Sequence, residues 1–359
     1  MTAGLVESRT QIARLGQEWD VPEEDVLLIA LNKAGVRSRI PKPRMRVRLR
    51  LTSRPEEEIF LILSLGRIDS PFQLEEHEIT LYGERVATVE ELEDDDAVLG
   101  YFRNGRKVLT LNSNARSQCI GCAFCPNTME AASDPKLAVL DDLDAYLSAL
   151  VSDFELEDLS GVETVTICTG CFHHEQLALD HLRMVRASMT NHNSQGKIHF
   201  LSSVLTSDEG LDAAADIGPF HLTTTIECFG RRGEILKQSK AKLRPIDVIP
   251  ILRKAKDRGI LADYTYIVGL DSQQLAEEYL SQYAPLTTTF PRFQIFQPHS
   301  AFMDVYVAPG AGQLEYYLSM RKMIERLFID TALRPQSWEN YRPLWYFSFA
   351  DEPLHSVRL

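Results

Sequence analysis

The sequence lacks both an apolar run long enough to cross a membrane and an excess of positive charge. Its 359 residues carry a formal net charge of −13, which argues against nucleic acid as the main partner. Glu7, Arg9 and Arg14 interrupt any apolar stretch at the beginning of the chain, so we expect no signal peptide. Six cysteines are too few for a disulfide framework and favour metal binding in a reducing compartment. These absences predict a cytoplasmic protein without a membrane or nucleic-acid partner.

Three of the cysteines, Cys119, Cys122 and Cys125, lie within seven residues of one another. Clustered thiolates bind soft metals, and three of them leave one coordination position open on a [4Fe–4S] cluster. The run follows a strand-like stretch, Lys107 to Asn112, and the end of a strand is a frequent position for a catalytic site in α/β proteins. The spacing therefore predicts an iron–sulfur site. A zinc site with Cys168 or Cys171 as its fourth ligand is the alternative.

The pattern after residue 105 predicts an α/β fold. Strand-like and helical segments alternate six times, beginning with Val108–Asn112, as in a parallel sheet covered by helices. Right-handed crossovers wind such a sheet into a partial (β/α)6 TIM-like barrel, here at 106–300. Residues 1–105 are interpreted as a small α+β appendage, and residues 301–359 as a helix and an aromatic tail that close the barrel. Alternating arginines from Arg44 to Arg50 predict one solvated strand face in the appendage.

The cysteine run resembles the Cys-x-x-x-Cys-x-aromatic-Cys motif of the radical S-adenosylmethionine (SAM) superfamily. The stretch Cys122-Ala-Phe-Cys125 matches its second half, whereas the first gap, from Cys119, is one residue shorter than usual. Later segments add to the resemblance over about residues 105–300. Thr166–Cys171 stands where that family has a Gly-rich motif, and Thr225–Glu227 resembles its acidic strand motif. Tyr266–Leu270 resembles the fifth strand of the biotin-synthase and hydrogenase-maturase branch.

The resemblance implies cofactors and roles for particular residues. Cys119, Cys122 and Cys125 would hold a [4Fe–4S] cluster, and SAM would be cleaved reductively to a radical that abstracts hydrogen from a substrate. A low-potential flavodoxin or ferredoxin would supply the electron. The arginine that binds the methionine carboxylate in that branch is replaced by Val248, and Arg244 is the candidate substitute. The implied SAM-binding residues are Phe124, Gly170, Cys171, Ser202, Glu227, Arg244, Val268, Gly269 and Leu270.

The expected substrate is a small polar molecule of a biosynthetic pathway, because no second set of cysteines follows the barrel. Polar residues after the second and sixth barrel strands are candidates to contact it, although an isolated histidine is more often a hydrogen-bonded loop residue. These candidates are His173, His174, Arg292, Gln297 and His299. Two alternatives are a peptide-modifying radical SAM enzyme that recognises its peptide through residues 1–105, and a non-catalytic iron–sulfur or zinc protein.

Overall fold

The computed structural model describes residues 6, 8–94, 100–113, 121–125, 137–168, 172–336 and 342–354. Cys119, Gly170 and Cys171, which the sequence analysis assigns to the site, lie outside the described residues. None of the described helices combines the length and hydrophobicity that crossing a membrane requires.

The N-terminal part of the chain contains two helices and a five-stranded antiparallel sheet. The elements are α1 (Arg9–Trp19), α2 (Glu23–Ala34), β1 (Arg44–Leu51), β2 (Arg54–Ser64), β3 (Phe72–Glu75), β4 (Glu78–Leu81) and β5 (Glu84–Asp94). The strand order is β2-β1-β5-β4-β3. The predicted α+β appendage is therefore present.

The second sheet has seven strands in the order β12-β11-β10-β9-β8-β7-β6. Six of them are parallel, while β6 runs antiparallel to β7. The strands are β6 (Gly100–Arg103), β7 (Val108–Leu111), β8 (Thr164–Ile167), β9 (Lys197–Ser202), β10 (Phe220–Glu227), β11 (Leu261–Val268) and β12 (Arg292–Ile295). This curled sheet confirms the predicted partial barrel. The sequence analysis missed β6, which precedes the expected boundary at residue 105, because four residues are too few to show an alternating pattern.

Helices follow the parallel strands at nearly the predicted positions. The helices are α3 (Leu140–Asp153), α4 (Glu175–Asn191), α5 (Asp208–Asp216), α6 (Arg232–Ile235), α7 (Gln238–Ala241), α8 (Pro245–Asp257), α9 (Gln273–Tyr283) and α10 (Leu314–Phe328). Short 3-10 helices lie at Ala284–Leu286 and Ala301–Tyr306. A hairpin of β13 (Ser348–Phe349) and β14 (Glu352–Pro353) follows α10. The two short helices α6 and α7, between β10 and α8, were not predicted.

The barrel sheet has one apolar face and one polar face. Side chains that alternate along β11, such as Tyr264 and Tyr266, pack in the apolar core on the helix side. The inner face carries a buried polar layer in which His221 Nε2 lies 2.9 Å from Asp263 Oδ2. The ring of His199 stacks on that of His221, with centroids 4.2 Å apart. The Nδ1 of His199 lies 3.5 Å from Arg292 Nη2, so side chains of β9 and β12 meet on the concave side of the sheet.

The arginine face of β1 is not solvated along its whole length, so that prediction is wrong. Arg44 and Arg46 are buried, and only Arg48 and Arg50 are half-exposed. The guanidinium of Arg46 lies over the ring of Tyr101 on β6 at 5.0 Å from its centroid and donates to the Asp94 carbonyl. Alternation identified the face correctly, but it could not show that the barrel covers one end of it.

A buried ion pair joins α2 to α10 and to the C-terminal segment. Arg321 Nη1 donates to Asp25 Oδ2 at 2.6 Å, and its Nε donates to Glu325 Oε1 at 2.9 Å. The other Asp25 oxygen accepts from the backbone amides of Tyr346 and Phe347. The described aromatic residues of the tail pack as core on the helix side of the barrel, where Trp345 contacts Phe293 and Phe290.

We expect Asp25→Ala to lower the free energy of unfolding by about 3–5 kcal/mol, because it breaks a buried ion pair of Arg321 and leaves the amides of Tyr346 and Phe347 without their acceptor. Urea denaturation followed by circular dichroism measures the loss. Glu23→Ala is the matched control on the same helical turn, since its ion pair with Arg9 is exposed and should be worth less than about 1 kcal/mol. Equal losses in the two variants would contradict the anchoring role of Asp25.

Candidate functional site

Two of the three motif cysteines lie in the loop after β7, next to the ends of β10, β11 and β12. Cys122 is buried and Cys125 is half-buried, and neither forms a disulfide within the described residues. The loop is tied to α6 by the Ala123 amide, which donates to the Ile235 carbonyl at 2.7 Å. Phe124 packs against the apolar cluster that surrounds Cys122, and its contact with SAM stays a prediction. The buried members of this cluster are Cys122, Cys228, Ile235, Leu236, Ile267, Leu270, Phe296 and Met303.

Glu227 ends β10 in a strained conformation and points toward the cysteine loop. Its φ of 67° lies in the left-handed region, and the pairing with β11 shifts register between Thr225 and Glu227, which marks a β-bulge. The buried carboxylate accepts a short hydrogen bond from the ammonium of Lys240, on α7. Bulges next to functional sites re-aim a side chain, and here the bulge directs a carboxylate into the end of the barrel.

Lys240 brings a positive charge to the cysteines. Burial alone would lower the pKa of Lys240, but the Glu227 carboxylate and the Cys122 and Cys125 thiols raise it above the ordinary value. Burial raises the pKa of the Cys122 thiol, while the nearby Lys240 charge and the Lys237 backbone amide act in the opposite direction. Burial therefore outweighs the Lys240 charge at Cys122, and Lys240 offsets part of the cost of a negative charge there.

Arg232 holds the segment that carries Lys240. Its guanidinium donates to the carbonyls of Ile226 and Cys228 at the end of β10, and to those of Lys240, on α7, and Leu243, just beyond α7. The sequence analysis missed both Lys240 and Arg232. The available signal was the basic run from Arg231 to Arg244 that follows the acidic strand motif in an otherwise acidic chain.

The end of β11 lies beside the cysteine loop. Ile267 and Leu270 belong to the apolar cluster around Cys122, whereas Val268 faces the helix-side core. Gly269 has a φ of 113°, and a Cβ there would lie 3.0 Å from the Tyr317 hydroxyl. Glycine is thus favoured at this position by the protein's own packing. The contact of this segment with SAM stays a prediction.

Two other implied SAM contacts have protein partners. The buried Ser202 hydroxyl accepts from the backbone amide of Val204 at 3.0 Å. Arg244 is exposed, and its guanidinium is paired with Asp247 at 2.6 Å on the outside of α8. Lys240, rather than Arg244, is therefore the basic residue that the structure brings to the cysteines.

The five substrate candidates are not brought together. His173 and His174 are exposed at the start of α4, whereas Arg292 and His299 are buried. Gln297 is also buried, but it binds the N-terminal part of the chain, since its Oε1 accepts from the Ser64 amide and its Nε2 donates to the Asn32 carbonyl. The roles of all five in binding a substrate stay predictions.

Cys168 does not join the cysteine loop. Its Sγ lies 3.2 Å from Asn112 Oδ1, and the described residues contain no group of three or more His, Cys, Asp or Glu able to hold a metal. Because Cys119 lies outside those residues, this result does not test the cysteine triad. For the same reason it does not test the zinc alternative, in which Cys168 or Cys171 is the fourth ligand. Cys228 is a buried thiol.

No family model and no curated protein matches the chain. The chain is similar in part to several solved structures. A radical SAM methyltransferase, TsrM, from Kitasatospora setae with cobalamin and a [4Fe–4S] cluster matches with a TM-score of 0.37 and 13% identity, over 54% of this chain and 38% of that one. Coproporphyrinogen III oxidase (HemN) from Escherichia coli, described as a radical SAM enzyme, matches with a TM-score of 0.33 and 15% identity, over 52% and 43%. The cobalamin-dependent SAM radical enzyme OxsB matches with a TM-score of 0.33 and 14% identity, over 69% and 34%.

The chain spans less than half the length of each of these proteins, and the likeness is too remote to transfer any of their substrates or residue roles. All three are named as radical SAM enzymes. The chain's own resemblance to that superfamily rests on its cysteine motif.

Proposed function

We propose that the chain is a radical SAM enzyme that cleaves SAM reductively and abstracts hydrogen from a small polar substrate in a biosynthetic pathway. The observation that carries the proposal is the position of Cys122 and Cys125 beside the buried Lys240–Glu227 pair, at the carboxyl ends of the barrel strands. Ligands of parallel α/β folds bind at this end of the sheet.

The residues present fit a [4Fe–4S] cluster. Cys122 belongs to an apolar cluster and Cys125 packs against it, and Cys119 precedes them at a spacing suited to a third ligand. Thiolates are the usual ligands of iron–sulfur clusters, and the Lys240 charge compensates part of their negative charge. The apolar surroundings limit the access of water, which influences the potential of such a cluster.

The chain's own residues then have defined tasks. When bound, the cluster supplies the electron that cleaves the sulfonium carbon–sulfur bond of SAM, and a flavodoxin or ferredoxin of low potential is the proposed source of that electron. Lys240 receives the methionine carboxylate, in place of the arginine that Val248 replaces. Glu227 orients Lys240 and accepts a hydrogen bond from the methionine ammonium or a ribose hydroxyl. Phe124 and its apolar neighbours exclude water from the reacting groups.

The discriminating experiment for the function is an anaerobic assay of the reconstituted protein with dithionite and SAM. A radical SAM enzyme releases 5′-deoxyadenosine, whereas an electron carrier or a zinc protein does not. Absence of this product from a preparation with a full complement of iron and sulfide would contradict the proposal.

We expect Ala substitution of Cys119, Cys122 or Cys125 to abolish the broad visible absorbance of the cluster, because three thiolates are needed to hold it. Iron and sulfide analysis after reconstitution measures the effect. Cys228→Ala is the matched control, since Cys228 is a buried thiol in the same apolar cluster but outside the motif. The assignment fails if all three motif variants keep the iron content of the control.

We expect Lys240→Met to weaken SAM binding by about 10- to 100-fold at unchanged iron content, since a hydrogen bond to a charged group is worth about 1.5–3 kcal/mol. Glu227→Gln should weaken SAM binding by a smaller factor, because it removes the carboxylate that orients Lys240. Anaerobic calorimetry with SAM measures both effects.

Lys242→Met is the control for this experiment, because Lys242 is an exposed lysine two residues beyond Lys240. The Lys242→Met variant should bind SAM with an affinity within about twofold of that of the original protein, because an exposed charge contributes little. If Lys240→Met and Lys242→Met bind SAM equally well, Lys240 does not contact the methionine carboxylate.

A further inference from the structure

The loop after β10, residues 228–231, connects the two charged residues of the proposed SAM site. Glu227 is the last residue of β10, and Arg232 is the first residue of the α6–α7 segment that carries Lys240. Only the residues of this loop separate the strained strand end from that segment. The path of the loop therefore determines whether the Glu227 carboxylate and the Lys240 ammonium can meet.

A buried carboxylate from the neighbouring loop binds this connection. Asp271 follows Gly269 and Leu270 in the loop after β11, and it is buried. Its Oδ2 accepts from the Phe229 amide and its Oδ1 accepts from the Gly230 amide, each at 2.8 Å. One side chain of the β11 loop thus holds two successive amides of the β10 loop.

Both partners of this contact are fixed by aromatic residues. The hydroxyl of Tyr316, on α10, donates to the backbone carbonyl of Asp271 at 2.7 Å. The ring of Phe229 stacks on those of Tyr266 and Tyr279, with centroids 4.9 and 4.8 Å apart. The carboxylate and the amides that it binds are therefore held in place independently of each other.

The contact between the two loops is close. A Cβ at Gly230 would lie 3.2 Å from Asp271 Oδ1 and 3.1 Å from Leu275 Cδ2. A larger residue at this position would therefore press on the carboxylate. Glycine lets the backbone of the β10 loop approach Asp271 closely enough for both hydrogen bonds.

Glu227 needs such support because its own conformation is unfavourable. Its φ of 67° lies in the left-handed region, which persists for a residue with a side chain only where the surrounding structure fixes it. Asp271 binds the amides just beyond Glu227, whereas Arg232 binds the carbonyls on either side of it. The bulge is therefore held through both kinds of backbone group.

The charge of Asp271 does not itself stabilise the fold. Burial raises the pKa of Asp271, and the Phe229 and Gly230 amides and the Arg232 charge offset only part of that effect. A carboxyl whose pKa is raised on folding favours the folded state at low pH, and this contribution is lost as the pH rises through the raised pKa. Once ionised, Asp271 therefore costs stability, which favours a positioning role over a purely structural one.

We propose that Asp271 is a positioning residue for SAM, which fixes the β10 loop so that Glu227 and Lys240 meet beside the cysteine loop. Asp271 acts through the backbone and does not touch SAM. Such support matters because a small displacement of a binding group lowers affinity and rate. The inference rests on the proposed function for the identity of the ligand, but the position of the loop can be tested without SAM.

Hydrogen–deuterium exchange followed by mass spectrometry tests the loop in the anaerobically reconstituted protein without SAM. Asp271→Asn keeps the shape of the side chain but replaces one acceptor oxygen by an amide nitrogen, which only donates. We expect exchange over residues 228–241 to become about tenfold faster, because one of the two contacts is lost. Unchanged exchange over this segment overturns the proposal.

Anaerobic calorimetry with SAM measures the consequence for binding. Asp271→Asn should weaken SAM binding by about tenfold at unchanged iron content, as for loss of a group that orients a ligand-binding side chain. Gly230→Ala disturbs the same contact from the other loop and should also weaken SAM binding. Unchanged affinity in the variants that fold overturns the proposal. If neither variant folds, Asp271 is a structural residue and the proposal is likewise overturned.

Asp25→Asn is the matched control. Asp25 is also a buried aspartate that binds two successive amides, those of Tyr346 and Phe347 at 3.0 and 2.9 Å, and burial raises its pKa as well. This variant should lower the midpoint of thermal unfolding and keep its affinity for SAM within about twofold of the original protein, because Asp25 shares no partner with the proposed SAM site. Equal losses of affinity in the Asp25 and Asp271 variants would show a general loss of stability and overturn the positioning role.

Failure of this inference is distinguishable from failure of the proposed function. Unmodified protein that releases 5′-deoxyadenosine, together with an Asp271→Asn variant of unchanged exchange and SAM affinity, refutes the positioning role and leaves the enzyme class standing. Faster exchange and weaker SAM binding in Asp271→Asn, with no 5′-deoxyadenosine from the unmodified protein, keep the positioning role and refute the enzyme class.

Discussion

In a parallel sheet that curls without closing, other parts of the chain have to cover both edge strands and the polar concave face. Much of the structure of this protein follows from that constraint. Unpaired edge strands and buried polar groups are costly unless another part of the chain covers them. Here the antiparallel sheet β2-β1-β5-β4-β3 crosses the open side, and the Asp25–Arg321 ion pair fastens its companion helix α2 to α10. The N-terminal part therefore covers the barrel, and its removal would expose the barrel interior.

The position of the N-terminal sheet also determines which charged residues lie inside the barrel. Bringing β1 across the opening places Arg44 and Arg46 in a region that also contains Arg103 and Arg292. The lowered pKa of His299 has the same origin, because burial and three arginines disfavour a further positive charge there. Burial also lowers the pKa of Lys33, beside Arg67, to about 8.

The cysteine loop lies in a different environment, apolar on most sides and with one buried ion pair. The bulge at Glu227 and the four carbonyl contacts of Arg232 hold Lys240 next to Cys122 and Cys125.

The sequence by itself determined the α/β class, the six strand–helix alternations and the cysteine triad, because periodicity and short motifs are local properties of the chain. It also indicated Glu227, through its place at the end of an apolar strand. Only the tertiary structure decided that Lys240 and not Arg244 reaches the cysteines, since the path of α6 and α7 depends on Arg232 bridging distant carbonyls. Likewise, alternation showed that Arg44 and Arg46 share a face of β1, but whether that face meets water or the barrel depends on contacts between segments far apart in the sequence.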